Sequence, residues 1–311
     1  QMKLSVIKSP DDMDIIVPRI SAFANTQNKV QVADFSANDP FHRRVEELSR
    51  TIWAPAQGGM KPVNWFYERA RGQYADMLSR ESTALRKKQF KELHPMFTKT
   101  DLAKYENTWD QLPFQVSEGA QKNFRKFTIR LNERKGILPD EKYYQRLVAK
   151  AILFKKTEKL VQQQQFGGYR ANIVTYTLAL LSYKTAQRID LERIWKEQRL
   201  TDALEQEIIA VSKLVHSAIT NPPNGANIGE WCKKEKCWSA VQNIEYSVSA
   251  VLESELVSVG SAQAKNNAKA SIDSLTDEEQ KIIDETANIP AEVWFSLSKW
   301  AKETNNFQSN N

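Results

Sequence analysis

A run of apolar side chains between residues 171 and 183 constrains the fold of this chain more than any other segment. The run is long enough for about three and a half helical turns. Its apolar residues lie on nearly all sides of a helix rather than along one stripe. Other elements of the protein must surround such a helix to keep it from water. The sequence therefore predicts a central buried helix over 171–183.

Turn-forming residues are scarce, which favours helices in the rest of the chain. The 311 residues include 10 glycines and 11 prolines, below the usual shares of roughly 7% and 5%. An all-β fold with many tight turns needs more of both. Hydrophobic residues make up 41% of the chain, enough to bury a large core. We therefore predict a mainly α-helical fold, a bundle-like array of many helices.

The beginning of the chain carries the pattern of a short β-strand. Leu4 and Val6 alternate with Lys3 and Ser5, the period of a strand with one buried face. A single strand needs partners from elsewhere. Because Gln1 precedes the first methionine, we expect this chain to be part of a longer protein whose N-terminal half supplies those partners.

Helical periodicity and capping residues divide the chain into predicted helices. These helices cover residues 11–23, 40–53, 65–80, 82–93, 100–108, 117–134, 140–165, 171–183, 190–198, 201–219, 229–236 and 238–257. We group them into three regions. The regions are a basic helical region with the N-terminal strand (1–166), a helical core region (167–259), and a polar linker, helical pair and disordered tail (260–311).

Several features indicate a soluble, cytoplasmic protein. No stretch approaches the roughly 18 uncharged apolar residues of a membrane span, and no signal-peptide pattern begins the chain. The two cysteines, Cys232 and Cys237, cannot form a disulfide framework. We predict no membrane partner.

Positive charge is concentrated in two basic blocks. Residues 41–100 carry 12 basic and 6 acidic side chains, and residues 121–161 carry 12 basic and 4 acidic ones. Aromatic residues are interleaved with the cations, a pattern that could grip phosphates and stack on bases. The alternative is a set of amphipathic helices with aromatics inward and cations outward. The candidate nucleic-acid contacts are Arg43, Arg44, Arg69, Arg71, Lys99, Lys104 and Lys122.

Motifs for catalysis or cofactor binding do not emerge from the residues. The two cysteines lack zinc-knuckle spacing, and the three histidines are scattered. Neither a nucleophile elbow nor a glycine-rich phosphate loop occurs. Acids on predicted helices, such as Asp101 and Glu118, are explained by capping and surface pairing. We assign no metal ligand, no cofactor and no catalytic residue.

The polar run Asn25, Thr26, Gln27 and Asn28 has more hydrogen-bonding capacity than a turn needs. These side chains could contact bases, a phosphate or a neighbouring domain. Alternatively, they close a helix C-terminus through bonds to the backbone.

Eight segments together resemble a known family of bacterial proteins. They are residues 25–30 (NTQNKV), 33–42 (ADFSANDPFH), 50–55 (RTIWAP), 65–74 (WFYERARGQY), 96–105 (MFTKTDLAKY), 172–177 (NIVTYT), 190–195 (DLERIW) and 229–234 (GEWCKK). In this order they are similar to the abortive infection phage resistance (AIPR) family, over residues 1 to about 240. We expect the family's usual upstream half, with a β-rich region, to belong to the longer protein of which this chain is a part.

The resemblance implies a role in bacterial phage defence and an indirect link to DNA, and it transfers no catalytic residue. We predict a helical portion of a defence protein that binds DNA or RNA, or another defence-system protein. One alternative is a metal-dependent nuclease whose catalytic residues lie mainly outside this chain. Another is a protein-binding scaffold.

Overall fold

The computed structural model describes residues 39–55, 61–133 and 138–259, together with Val293 and Ser296. Contacts divide the chain into two compact units, residues 1–272 and 273–311, and the elements described below belong to the first. The predicted strand over 2–8, the helix over 11–23, the polar run from Asn25 to Asn28 and nearly all of region 260–311 lie outside the described residues. The division into three regions stays a prediction.

Helices dominate the described residues. The first six are α1 (Pro40–Thr51), α2 (Gln73–Ser79), α3 (Ala84–Leu93), α4 (Lys99–Trp109), α5 (Pro113–Ser117) and α6 (Ala120–Glu133). The next seven are α7 (Glu141–Gln163), α8 (Arg170–Lys184), α9 (Leu191–Glu197), α10 (Asp202–Thr220), α11 (Ile228–Trp231), α12 (Glu235–Gln242) and α13 (Ala250–Glu255). The two strands of the described part, β1 (Phe66–Glu68) and β2 (Met96–Thr98), form a parallel pair. The prediction of a mainly α-helical fold is confirmed.

The predicted central helix is α8, and it lies in the middle of the core. Every residue from Ile173 to Ser182 is buried. Helices α4, α7, α10 and α12 pack against it, so all of its sides meet protein. The apolar run over 171–183 therefore predicts correctly, from the sequence alone, which helix lies at the centre of the core.

The predicted helix over 65–80 is wrong, because its first part is strand β1. Phe66 pairs with Met96 and Glu68 with Thr98 in the parallel ladder. Aromatic residues favour strands, and Tyr67 at the centre of β1 is fully buried. The helical part begins only after Gly72, whose φ of 91° lies in the left-handed region that glycine adopts most easily.

One further predicted helix begins later than expected, and another is interrupted. The helix predicted over 117–134 is α6, which begins at Ala120, because Gly119 with a φ of 101° separates it from the short helix α5. The helix over 238–257 is the pair α12 and α13, because residues 245–249 are not helical. From the end of α12 onward, Ile244, Tyr246 and Val248 pack against the core at every second position, the period of an extended chain.

A buried ion pair connects α4 to α7. The Nζ of Lys150 lies 3.0 Å from each carboxylate oxygen of Glu106, and the two side chains are 1% and 0% exposed. Burial raises the pKa of Glu106 above its usual value, and the adjacent Lys150 ammonium opposes that shift. Lys150 also faces the ring of Trp109, 5.5 Å from its centroid. Each charge therefore depends on the other for compensation of its lost hydration.

Removing one member of this pair should be far more costly than removing both. We expect Lys150→Met to lower the free energy of unfolding by about 3–5 kcal/mol, because it leaves a buried carboxylate uncompensated. The double variant Glu106→Leu/Lys150→Met should recover most of that loss. Urea unfolding of the three proteins measures both differences. A loss of about 1 kcal/mol or less in Lys150→Met, typical of an exposed pair, contradicts the interpretation.

His42 is a second buried titratable group, and it connects α1 to β1. Its Nδ1 lies 2.6 Å from the Tyr67 hydroxyl, and its ring stacks on Phe124. Burial, reinforced by the positive charges of Lys99 and Arg69, lowers the pKa of His42 from 6.5 to about 3. The folded protein therefore holds this imidazole neutral at pH values where the unfolded chain binds a proton.

This difference predicts a loss of stability in mild acid. Between pH 6.5 and about 3 the unfolded state takes up one proton at this residue and the folded state does not. The free energy of unfolding should therefore fall by up to about 1.4 kcal/mol per pH unit as the pH decreases through that window. His42→Gln, which does not titrate, is the reference. Parallel stability curves for the two proteins in urea unfolding between pH 4 and 7 contradict the prediction.

Candidate nucleic-acid interface

The seven predicted contact residues lie on four parts of the fold. Arg43 and Arg44 belong to α1, Arg69 and Arg71 follow β1, Lys99 and Lys104 belong to α4, and Lys122 lies in the first turn of α6. The exposed members are Arg43, Arg71 and Lys122.

The other four side chains are buried or form ion pairs within the protein. Lys99 is buried, at 6% exposure. Lys104 donates to Glu158 at 2.7 Å, and Arg44 pairs with Glu47 at 3.1 Å along α1.

Arg69 belongs to a polar cluster around Glu46. The Nε of Arg69 lies 2.5 Å from Oε2 of Glu46, while Arg50 and Gln73 donate to Oε1 of the same carboxylate at 3.3 and 2.8 Å. The guanidinium of Arg50 also covers the ring of Phe66, 3.7 Å from its centroid. This cluster joins α1 to β1 and α2, which gives Arg69 a structural role in addition to any ligand contact.

About half of the charge excess of the second basic block is compensated by acids from other parts of the chain. Its ion pairs are Lys126–Glu118 at 2.7 Å, Arg130–Asp110 at 3.1 Å, Lys150–Glu106 at 3.0 Å and Lys156–Glu205 at 3.7 Å. Each of these acids lies outside residues 121–161. The charge excess of the block in the sequence thus overstates the charge that it presents to solvent.

The first basic block contains an exposed cationic helix, α3. None of its ten residues is buried. Its cations are all exposed, namely Arg86, Lys87, Lys88 and Lys91. Its one acid, Glu92, lies 4.0 Å from Lys88, and in the described part of the chain no carboxylate lies within ion-pair distance of the other three cations.

Both ends of α3 are fixed although its body is exposed. The hydroxyl of Thr83 accepts from the backbone N–H of Arg86 at 3.2 Å, which caps the N-terminus. Near the C-terminus the ring of Phe90 contacts Tyr74 and His94, with centroid distances of 5.7 and 4.6 Å. Burial lowers the pKa of His94. The helix thus has a defined position while its cations remain in solvent.

The sequence interpretation named none of the cations of this helix among its candidate contacts. Its signal was visible in the segment ALRKKQFKEL, where cations occupy several sides and the apolar residues are few. A helix that is polar nearly all round gains little stability from burial. Such a pattern indicates a helix whose surface is available to a partner.

Within the described residues, no group of three or more His, Cys, Asp or Glu side chains could hold a metal ion. The thiols of Cys232 and Cys237 are buried and free, and a side-chain hydrogen bond from Cys237 lowers the pKa of Cys232. The helices of the described ranges include none that is long and apolar enough to cross a membrane. The helix α3, in contrast, presents exposed guanidinium and ammonium groups, which are suited to binding anions.

A family model matches more than half of the chain. No curated protein and no solved structure is significantly similar to the chain. The family model described as AIPR protein matches residues 1–223, which carry seven of the eight similar segments. The matched part includes the helix α3, the buried pair Glu106–Lys150 and the central helix α8. The chain therefore belongs to the AIPR family, the abortive infection phage resistance proteins.

Proposed function

We propose that this phage-defence protein binds nucleic acid, and that the helix α3 makes the principal phosphate contacts. Membership of the AIPR family assigns the chain to phage defence. The observation that supports the proposal is the exposure of all four cations of α3 on a helix without a buried residue. The site of action in this proposal is the bacterial cytoplasm, where phage nucleic acid is present.

The charge arrangement of α3 suits a phosphate backbone better than a specific base sequence. Lys91 is four residues from Lys87 and three residues from Lys88, so these three cations lie on one side of the helix. Lysine and arginine contacts to phosphates position a protein on nucleic acid and carry no direct sequence information. We therefore propose binding with low sequence preference, in which release of condensed counterions drives association.

The exposed residues Arg43, Arg71 and Lys122 are proposed as secondary contacts. They lie on other elements than α3, so their contribution can be measured separately. A triple change of these residues to glutamine tests whether the interface extends beyond α3.

Neutralising α3 should weaken nucleic-acid binding and reduce its dependence on salt. In the quadruple variant Arg86→Gln/Lys87→Gln/Lys88→Gln/Lys91→Gln, glutamine preserves helix propensity and removes up to four phosphate contacts. The slope of log K against log salt for duplex DNA should become less steep by about 3–4. Fluorescence anisotropy with duplex and single-stranded DNA and with RNA, at several salt concentrations, measures this slope.

The control replaces four exposed cations elsewhere on the protein. These residues are Arg170, Lys213, Lys234 and Lys236, so the net charge of the control equals that of the quadruple variant. We expect the control to bind nearly as the unchanged protein does. Equal weakening in both variants, or no binding of the unchanged protein at low salt, contradicts the proposal.

A further inference from the structure

An exposed indole lies at the C-terminal end of the cationic helix α3. Trp53 comes two residues after the end of α1, and it is 46% exposed. Its ring contacts His94, the residue directly after α3, with the ring centroids 5.7 Å apart and the planes inclined by 68°. A single exposed apolar side chain is common on protein surfaces. The surroundings of Trp53 therefore decide whether the indole can serve a ligand.

The backbone around Trp53 is extended and directs the indole outward. Ile52 has extended dihedral angles, with a φ of −91° and a ψ of 124°, and Ala54 forms an antiparallel bridge to Val63. Ile52 packs against the core, and Ala54 is buried. Successive side chains of an extended segment point to opposite sides. Trp53, which lies between these two residues, therefore faces solvent.

The buried residue Asn64 fixes the position of Trp53 relative to α3. Its Nδ2 donates to the carbonyl of Ile52 at 2.9 Å, and its backbone N–H donates to the carbonyl of Leu93 at 2.9 Å. The carbonyl oxygen of Asn64 lies 3.2 Å from Nδ1 of His94. These bonds join the end of α1 to the end of α3. The indole and the cations are thus held in place before a ligand arrives, which lowers the entropy cost of binding.

Two exposed cations lead along α3 toward the indole. Lys87, Lys91 and His94 are four and three residues apart, so they lie along one side of the helix over about 10 Å. The two lysines of this set are exposed. Glu92, the acid of α3, is turned by about 100° from Lys91 around the helix axis and lies 4.0 Å from Lys88. Burial lowers the pKa of His94, so this ring supports the indole without adding a charge at neutral pH.

This surface combines the two kinds of group that bind an unpaired nucleotide. Cations contact the phosphates, and an exposed aromatic ring stacks on the base. In a duplex the faces of the bases are covered by neighbouring base pairs, and freeing one base costs unstacking energy. Cations alone would bind either form of nucleic acid. The indole adds a contact only where a base is free to stack.

We propose that the ligand of this surface is single-stranded nucleic acid, DNA or RNA, with one base stacked on Trp53 and the adjoining phosphates at Lys87 and Lys91. This inference rests on the function proposed for α3 and specifies the form of nucleic acid that the helix binds. Every base has a face that can stack, so the low sequence preference is retained. Trp53 supplies the selectivity for unpaired strands.

Replacing the indole should weaken the binding of single strands and leave the binding of duplex DNA unchanged. For Trp53→Leu we expect at least about fivefold lower affinity for an oligonucleotide of thymidines, the low end for loss of one base-stacking contact. The slope of log K against log salt should stay the same, because the variant removes no phosphate contact. Fluorescence anisotropy with labelled single strands and duplexes measures both quantities. Each comparison is made with one ligand, so the higher charge density of the duplex does not affect it.

A strand without bases shows whether the indole contacts a base. An abasic deoxyribose-phosphate oligomer of the same length carries the same phosphates as the thymidine strand. The unchanged protein should bind this oligomer more weakly than the thymidine strand, and Trp53→Leu should bind it as the unchanged protein does. Equal weakening of both strands in Trp53→Leu overturns the proposal.

Tyr183 on α8 provides a matched control. It is 43% exposed, and its ring contacts Trp238 edge-on with the centroids 6.3 Å apart, much as Trp53 contacts His94. Tyr183→Leu should bind single strands as the unchanged protein does. If Tyr183→Leu weakens this binding as much as Trp53→Leu, the assignment of the indole is wrong.

A measurement on a milder variant guards against misfolding. Circular dichroism and thermal unfolding establish whether Trp53→Leu is folded, and Trp53→Phe keeps an aromatic ring at the same position. Binding of the thymidine strand should quench the tryptophan emission of the unchanged protein more than that of Trp53→Phe. Equal quenching in the two proteins contradicts stacking on Trp53.

The outcomes separate this inference from the proposed function. If the unchanged protein binds nucleic acid and Trp53→Leu weakens single strands and duplex equally, or neither, the inference fails and the function proposed for α3 stands. If the unchanged protein binds no nucleic acid at low salt, both fail. Self-association that Trp53→Leu abolishes in sedimentation velocity, with unchanged affinity for single strands, assigns the indole to a contact between copies of the chain and overturns the inference.

Discussion

The buried pair Glu106–Lys150 is the interaction on which the arrangement of the core depends. It joins α4 to α7 at a point where neither charge reaches solvent. An apolar contact between two helices tolerates small shifts, but a buried ion pair loses its compensation when the helices slide. The pair therefore fixes α4 in rotation and along its axis relative to α7. Since α4 also packs on α6 and α8, this constraint extends to the centre of the fold.

The next residue along α4 extends this constraint to α6. Asn107 follows Glu106 and bonds to Asn123 on α6, and Arg130 from α6 returns to both Asn107 and Asp110. The position of α6 is thus tied to the same helix that holds the ion pair.

Local patterns predicted much of the fold, and contacts between distant segments account for what they missed. The central helix was predictable because a helix with apolar residues on all sides must be buried. Strand β1 was not, because its partner β2 lies 30 residues away (Phe66↔Met96) and three residues are too few to show a period. For the same reason the sequence could not reveal that Lys150 is buried, since its partner is 44 residues away.

The candidate interface shows the same division between local and distant information. Counting charges located the two basic blocks but could not tell which cations are compensated. In the second block, ion pairs to acids such as Asp110 and Glu205 compensate about half of the excess. Among the described residues, one carboxylate, that of Glu92, lies within ion-pair distance of the four cations of α3. Surface potential depends on these pairings and on exposure rather than on net charge along the chain. Lys99 and Arg69 were selected in the sequence for their positive charge. In the fold, the two charges lie near His42 and lower its pKa, and Arg69 also pairs with Glu46.

Helices outside the residues that match the family model pack against helices inside them, and together they form one core. The match ends at residue 223, yet α12 packs against both α8 and α10. The ring of Trp238 contacts Tyr176 and Tyr183 on α8 at 6.2 and 6.3 Å, and the hydroxyl of Tyr176 donates to the carbonyl of Cys232 at 2.7 Å. An apolar helix such as α8 cannot leave one side in water. In this chain, therefore, the segment after residue 223 contributes to the stability of the matched part.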